Sequence, residues 1–209
     1  DEGLIEAFRE NQDIHRSTAS KVFGVAFDDV TDLQRRNAKA VNFGIVYGIS
    51  AFGLSQDLNI PQKEAQGFID SYFATYPKIK EFLDQTVAQA KECGFTRTLF
   101  GRIRPIPELS SSNFMQRQFG ERVAMNAPIQ GTAADIIKIA MIRVHDRLIR
   151  EGYKSRLILQ VHDELLIETA ESEKDAVIAL LEEEMRQAAD LKVELAVGTE
   201  CGYNWYEAH

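Results

Sequence analysis

Apolar residues recur at helical spacing through the first half of the chain, and glycines or prolines separate the helical segments. Thr31 and Gln34 have the spacing of a capping box, so a helix is predicted to start there and run to about Tyr47, with Gly48 past its end. The other predicted helices are residues 2–11, His15–Phe23 with Gly24 after it, one that begins at Pro61 and stops before Pro77, and one from Pro77 to Gly94.

The pattern changes after residue 94. Residues 95–109 alternate and turn like a small hairpin or an extended arm. From Asn113 to about Gly152 the helical spacing returns, and Pro128 is expected to interrupt that helix because proline lacks a backbone N–H.

Two strand-like runs then flank a predicted turn at His162-Asp163-Glu164. The runs are Arg156–Val161 and Leu165–Thr169, followed by a predicted helix over residues 172–189 and a strand over 193–197. Strand alternation places Leu157, Leu159 and Val161 on one face, with Ile158 and Gln160 on the other.

These elements predict a mixed α/β fold that is rich in helix. A helical part, residues 1–110, precedes a part, residues 111–209, with a small antiparallel sheet flanked by helices.

The net charge of −8 by itself argues against nucleic-acid binding, but its distribution changes that interpretation. Residues 151–209 hold 14 acidic and 5 basic residues, and the first 150 hold 18 acidic and 19 basic ones. Residues 97–122 contain five arginines and only two glutamates. Because screening confines charge effects to about 8–10 Å, a local basic surface can still attract phosphates.

Composition also bears on the compartment. No run of about 18 apolar residues exists, so no membrane partner is expected. Cys93 and Cys201 lack a CxxC partner or a nearby histidine cluster, and we interpret both as reduced thiols of a cytoplasmic protein.

Two groups of residues suggest chemistry. Arg35, Lys39, Phe43 and Tyr47 fall four residues apart and form one stripe on the helix, with two cations followed by two aromatics. A nucleoside triphosphate could lie along this stripe, with its phosphates on the cations and its base near the rings. The alternative is an ordinary amphipathic helix whose aromatic residues belong to the core.

The second group is the pair of carboxylates in the predicted turn, Asp163 and Glu164. Adjacent acids at a rigid tip suit a divalent cation that also binds phosphate oxygens. The alternative is a polar hairpin turn without a metal.

Three longer segments carry a resemblance to a known family. They are Arg35-Arg-Asn-Ala-Lys-Ala-Val-Asn-Phe-Gly-Ile-Val-Tyr-Gly48, Arg122-Val-Ala-Met-Asn-Ala-Pro-Ile-Gln-Gly-Thr-Ala-Ala-Asp135 and Leu159-Gln-Val-His-Asp-Glu-Leu165. Together they resemble family A DNA polymerases. The first is similar to the nucleotide-binding motif of the fingers, the second to the palm segment that contacts primer–template, and the third to the palm motif that supplies a metal-binding aspartate.

The resemblance implies a DNA-directed DNA polymerase of replication and repair, with fingers in residues 1–110 and part of a palm in residues 111–209. It would transfer a nucleotide from dNTP to a primer 3′ hydroxyl with two Mg²⁺ ions. The expected nucleotide contacts are His15, Arg35, Lys39, Phe43 and Tyr47. The expected primer–template contacts are Arg122, Asn126, Gln130, His162, Arg102 and Arg104.

The resemblance further implies that Asp163 binds metal and that Glu164 has a secondary part in orienting the site, so that Asp163, Glu164 and Lys39 are the candidate catalytic residues. The family's second aspartate belongs to a motif resembling Asp-Tyr-Ser-Gln-Ile-Glu, which these 209 residues do not contain. We therefore expect the chain alone to be inactive, with upstream palm, thumb and exonuclease parts of a parent chain as its partners.

Two other functions stay open at this point. One is a catalytically silent module that binds nucleotide or DNA. The other is a metal-dependent phosphohydrolase that uses Asp163 and Glu164, which would have little use for the stripe on the fingers helix.

Overall fold

The structure is a computed structural model that describes residues 1–208. The chain forms two compact units, residues 1–131 and a second unit that starts at Thr132. Helices dominate and the sheets are two antiparallel strand pairs, which confirms the predicted helix-rich α/β class. The division into fingers (1–110) and palm (111–209) stays a prediction, since the compact units divide elsewhere.

The first unit begins with six helices. They are α1 (Glu2–Arg9), α2 (Ile14–Phe23), α3 (Asp32–Val46), α4 (Ala51–Leu58), α5 (Gln62–Thr75) and α6 (Pro77–Cys93). Five of them were predicted, and local capping explains why. Thr31 and Gln34 form both bonds of the capping box, and Gly24 and Gly94 end their helices in the left-handed conformation.

The core of the first unit forms where α3, α4 and α5 pack together. Val41, Leu54, Tyr72 and Tyr76 are each at most 3% exposed there. Because these side chains are buried, one face of α3 lies in the core and the opposite face is exposed to solvent.

The hairpin that follows α6 consists of β1 (Phe95–Arg97) and β2 (Ile103–Pro105), paired antiparallel as predicted. The helix α7 (Phe114–Arg150) then runs for 37 residues. The predicted interruption near Pro128 was wrong, because the backbone stays helical through that residue. A proline removes one intrahelical hydrogen bond, and the turns on both sides supply the rest.

The second unit contains β3 (Arg156–Val161), β4 (Glu164–Glu168) and α8 (Lys174–Arg186), together with the C-terminal part of α7. Val144 and Leu148 of α7 and Val177 and Leu180 of α8 form its buried core, against which Leu157 packs. The strand predicted over residues 193–197 is absent from the described chain, where that segment has no regular structure.

The β3–β4 pairing corrects two details. Glu164 belongs to β4, where it pairs with Val161, so the turn contains only His162 and Asp163. A register shift between Leu157 and Leu159 breaks the alternation, and the predicted face was therefore wrong. Paired residues share a face, so Gln160 joins Leu157, whereas Leu159 and Val161 lie on the other side.

A substitution at Leu54 tests whether α4, the helix that the sequence pattern did not predict, packs into the core of the first unit. Because its side chain is fully buried, Leu54→Ala is expected to lower the free energy of unfolding by about 2–5 kcal/mol in urea denaturation. Phe52 on the same helix is 62% exposed, so Phe52→Ala is the matched control and should change that value by at most about 0.5 kcal/mol. Equal effects of the two changes would contradict the packing of α4 through Leu54.

Candidate nucleotide and nucleic-acid site

The stripe of Arg35, Lys39, Phe43 and Tyr47 lies on the outer face of α3. Phe43 and Tyr47 are 50% and 51% exposed, and Lys39 is exposed as well. The apolar residues Val41 and Ile45 fill the opposite, buried face. The aromatic rings are therefore not core residues, and two large apolar surfaces face solvent beside two cations.

Asp13 joins the start of α2 to this stripe. Its carboxylate accepts hydrogen bonds from the backbone N–H groups of His15 and Arg16, both at 3.0 Å, and so caps α2. The same carboxylate pairs with Nε of Arg35 at 2.7 Å. Burial raises the pKa of Asp13, but the hydrogen bonds from Arg16 and Arg35 and the charge of Arg35 outweigh it, leaving the pKa below its ordinary value.

His15 lies next to the middle of the stripe. Its ring centroid is 5.8 Å from that of Phe43, and Nζ of Lys39 lies 5.9 Å from the Phe43 ring centroid. Burial lowers the pKa of His15, Asp13 raises it, and Arg35 and Lys39 lower it further, so the net pKa lies below the ordinary value. His15 is therefore mainly neutral at neutral pH.

The end of α3 meets α7 through two hydrogen bonds. The side-chain amide of Asn126 donates to the carbonyl of Val46 at 3.2 Å, and that of Gln130 donates to the hydroxyl of Tyr47 at 3.2 Å. Gly48 follows with φ of 67°, and a Cβ there would lie 3.0 Å from Cγ of Arg122. This position therefore needs both the left-handed backbone and the missing side chain.

Two hollows border this contact. The larger, about 500 Å³, is lined by Phe43, Tyr47 and Arg122 together with the residues around Gly48. The smaller, about 200 Å³, is lined by Arg102, Arg104, Asn126 and Gln130, among others. In the smaller one, Nη2 of Arg102 donates to the carbonyl of Gly131 at 2.9 Å, which holds the β1–β2 hairpin against α7.

The first unit thus brings together ten of the residues singled out in the sequence. They are His15, Arg35, Lys39, Phe43, Tyr47, Arg102, Arg104, Arg122, Asn126 and Gln130. Sequence reasoning missed Asp13 and Asn42, whose side chains contact Arg35 and His15. An aspartate just before a predicted helix is a recognisable cap, but nothing in the pattern indicated its second partner.

The other three residues lie at the tip of the β3–β4 hairpin in the second unit. His162, Asp163 and Glu164 are all exposed there. His162 has φ of 51°, a left-handed conformation that is uncommon outside glycine, and its carbonyl accepts a hydrogen bond from the side chain of Gln160 at 2.7 Å. The tip is therefore a tight two-residue turn with carboxylates at its surface.

Comparison with known proteins identifies the family. The sequence profile of DNA polymerase family A matches residues 1–207. The chain belongs to DNA polymerase family A. Proteins of this family are generally metal-dependent.

Bacterial relatives resemble the chain along its whole length. It is 55% identical over 207 residues to DNA polymerase I of Caldicellulosiruptor bescii and 52% identical over 208 residues to that of Geobacillus stearothermophilus. These matches cover 99% and 100% of the chain but 24% of each relative, so the chain spans about a quarter of their length.

A solved structure agrees with the fold. It is described as the POL domain of Pol1 from M. smegmatis in complex with DNA primer-template and dNTP, and it is 46% identical to the chain with a TM-score of 0.93. The match covers 100% of the chain and 37% of that structure's chain. Within residues 1–208, no helix combines the length and apolar character needed to cross a membrane.

Asp13 allows its cap and its ion pair to be tested separately. Asp13→Ala removes both and should lower the free energy of unfolding by about 1 kcal/mol, the usual value of an N-cap. Asparagine at this position would keep a good cap, so Asp13→Asn should cost less than about 1 kcal/mol, as expected for a partly exposed ion pair. Urea denaturation at neutral pH measures the free energy of unfolding of both variants. A larger loss for Asp13→Asn than for Asp13→Ala would contradict the capping role.

The pH dependence follows from the same carboxylate. Since the folded-state pKa of Asp13 is depressed, its contribution to stability is present above its unfolded pKa and is lost as pH falls through the folded value. Asp13→Asn should therefore flatten the acid side of the stability curve below about pH 4. An unchanged acid slope in the denaturation series would show that Asp13 gains no such stabilisation.

Gly48→Ala tests the close approach of α3 to α7. We expect a loss of at least about 1–2 kcal/mol in the free energy of unfolding, because the left-handed backbone disfavours alanine and its Cβ would crowd Arg122 and Met125. Gly67 in α5 is the control, because no atom lies within 4 Å of the place that a Cβ would take and its φ is not positive. Gly67→Ala should raise the free energy of unfolding by about 0.5–1 kcal/mol.

Proposed function

We propose that this chain provides the nucleotide-binding and primer-end-binding surfaces of a DNA-directed DNA polymerase, an enzyme that joins dNTPs to a primer 3′ hydroxyl in DNA replication and repair. The observation that carries the proposal is the convergence of His15, Lys39 and Phe43 on an open helix face. Core packing needs no such group of exposed rings and cations. The relatives named DNA polymerase I support the same function.

The triphosphate would bind along the first half of the stripe. The ion pair with Asp13 uses Nε of Arg35, and within residues 1–208 the terminal Nη atoms make no hydrogen bond. With Nε bound to Asp13, the guanidinium of Arg35 can donate from its Nη atoms to a phosphate. Lys39 adds a second positive charge one helical turn further on. His15 would add a third donor.

The sugar and base would lie against the second half of the stripe. Phe43 offers an exposed ring for packing with the incoming nucleotide, and by resemblance to the family a phenylalanine here is linked to discrimination against dideoxynucleotides. Tyr47 lines the larger hollow and would stack at the templating position. The exposure of both rings supports these roles.

Primer–template DNA would bind next to α7. Arg122, Asn126 and Gln130 would supply side-chain donors for the acceptors that every Watson–Crick pair presents in the minor groove, so pair geometry would be checked without reading sequence. His162 of the second unit is proposed as a primer–template contact on the family resemblance alone. Asn126 and Gln130 each donate one hydrogen bond to the end of α3, at Val46 and Tyr47, and each side-chain amide has a second hydrogen that could donate to DNA. Arg102 and Arg104 are the proposed contacts to the template backbone.

The tip of the β3–β4 hairpin fits a magnesium ion that is shared with a substrate. Among the described residues no group of three or more histidine, cysteine or acidic side chains could hold a metal unaided. Mg²⁺ in polymerases typically takes one or two carboxylates, substrate phosphates and water, which matches the donors here. Asp163 would be the ligand and Glu164 would orient the site.

When bound, magnesium would supply charge neutralisation at the phosphates. The chain's own contribution is then to orient the nucleotide, through Arg35, Lys39 and His15, and the primer end, through α7. We further propose that the protein works in the bacterial cytoplasm.

Lys39→Ala tests the proposal. In primer extension by the full-length protein, kcat/KM for dNTP should fall by at least about 100-fold, because a charged phosphate contact of about 3 kcal/mol is lost. Lys63 on α5 is also exposed and serves as the control, so Lys63→Ala should leave kcat/KM within about twofold. Equal kcat/KM values for Lys39→Ala and the unchanged protein would rule out triphosphate binding on the stripe.

Asp163→Asn separates synthesis from binding. We expect extension to fall by about 1,000-fold or more while dNTP and primer–template binding persist, because the carboxylate serves the chemical step. Asp190→Asn, at another exposed carboxylate, should retain activity. Tight binding without extension in the unchanged protein would instead favour the catalytically silent module.

A further inference from the structure

A chain of polar side chains runs from the core of the first unit to His15. The side-chain amide of Asn42 contacts Nδ1 of His15 at 3.0 Å and Oγ1 of Thr18 at 3.2 Å. Oγ1 of Thr18 in turn lies 3.3 Å from the hydroxyl of Tyr76. Thr18 and Tyr76 are fully buried, so this chain of hydrogen bonds is anchored in the core of the first unit.

The chemistry of the amide decides which imidazole nitrogen carries the proton. Nδ2 of Asn42 faces His15, and an amide nitrogen only donates, so Nδ1 of His15 must accept. A neutral imidazole that accepts at Nδ1 has its hydrogen on Nε2. Within residues 1–208, Nε2 makes no hydrogen bond.

We propose that Asn42 is a positioning residue that holds Nδ1 of His15 as an acceptor and so keeps the hydrogen on Nε2, ready to donate to a phosphate oxygen of an incoming nucleotide. The assignment of the hydrogen rests on the contacts above. The step to a phosphate rests on the proposed function.

The charges around His15 favour the neutral form that this arrangement needs. Asp13 lies at the start of α2, and Arg35 and Lys39 lie on α3; the two cations and burial oppose the favourable effect of Asp13 on the imidazolium. Tyr76, from the end of α5, reaches His15 only through Thr18 and Asn42. Asp13, Arg35 and Lys39 affect the charge of the imidazole, whereas Asn42 is the group that distinguishes its two nitrogens.

The Thr18 hydroxyl makes the arrangement adaptable. It can donate to Oδ1 of Asn42 or accept from Nδ2, and both atoms lie 3.2 Å away. If His15 gained a second proton, Asn42 could turn its amide so that Oδ1 accepts from Nδ1–H, with Thr18 exchanging roles. Asparagine therefore suits both charge states, whereas aspartate would favour the imidazolium and leucine would serve neither.

Nitrogen NMR of the histidine rings tests the assignment without any nucleotide. The 209-residue chain has four histidines, and His15→Gln identifies the His15 resonances. At pH 8 we expect His15 to show the Nε2–H form. Asn42→Leu should give a mixture of the two neutral forms, and Asn42→Asp should raise the pKa of His15 and favour hydrogen on Nδ1.

Asn37→Leu on the same helix is the matched control and should leave the His15 resonances unchanged, because Asn37 makes no hydrogen bond to His15. The Nδ1–H form in the unchanged chain, or an unchanged His15 form in Asn42→Leu, would overturn the proposal. The first of these outcomes needs only the unchanged chain and His15→Gln, and does not depend on the folding of Asn42→Leu.

A kinetic measurement separates this inference from the proposed function. In the full-length protein, Asn42→Leu should raise the KM for dNTP about fivefold, the effect of one hydrogen bond, and leave that for primer–template unchanged. The effect should vanish in a His15→Gln background. An Nε2–H form in the NMR spectrum combined with an unchanged dNTP KM for His15→Gln would uphold the role of Asn42 and refute phosphate binding by His15.

Discussion

The burial of one face of α3 is the constraint on which the candidate site depends. Ala38, Val41 and Ile45 are at most 3% exposed, and a helix that buries one side must present the other to its surroundings. Four residues spaced one turn apart on that outer side then form a continuous surface. The site needs no dedicated loop, because the same hydrophobic contacts that stabilise the first unit also orient the cations and rings.

An opposing charge offsets the repulsion between the two cations on the outer face of α3. Arg35 and Lys39 lie one turn apart, and like charges at this spacing destabilise a helix slightly. Asp13 offsets this repulsion from a different helix, and it is itself stabilised by the free N–H groups at the start of α2. One carboxylate thus serves helix capping and charge balance together, which links the local stability of α2 to the electrostatic field of α3.

Elements determined by nearby residues could be predicted from the sequence. The capping box at Thr31 and the glycines that end α2 and α6 act over a few residues, and they set those helix bounds correctly. Helix α4 was missed because it is only eight residues long and includes a glycine and a serine, although Ser50 caps it. The register shift breaks the alternation within β3, and the turns on both sides of Pro128 keep α7 continuous; the pattern of apolar residues indicates neither feature.

The same distinction applies to the candidate site. Spacing along α3 found the stripe, but the contact of Asn42 with His15 joins residues 27 positions apart and that of Asp13 with Arg35 joins residues 22 apart. No local rule relates such pairs. The roles of the site residues in nucleotide and DNA binding stay predictions, although the family to which they belong is established.

The two hydrogen bonds between α7 and the end of α3 have a mechanical consequence. Asn126 donates to the Val46 carbonyl and Gln130 donates to the Tyr47 hydroxyl, directly before Gly48 turns the chain. A displacement of the end of α3 that separates these groups costs both hydrogen bonds. The two amides of α7 therefore restrain the end of the helix that carries the stripe.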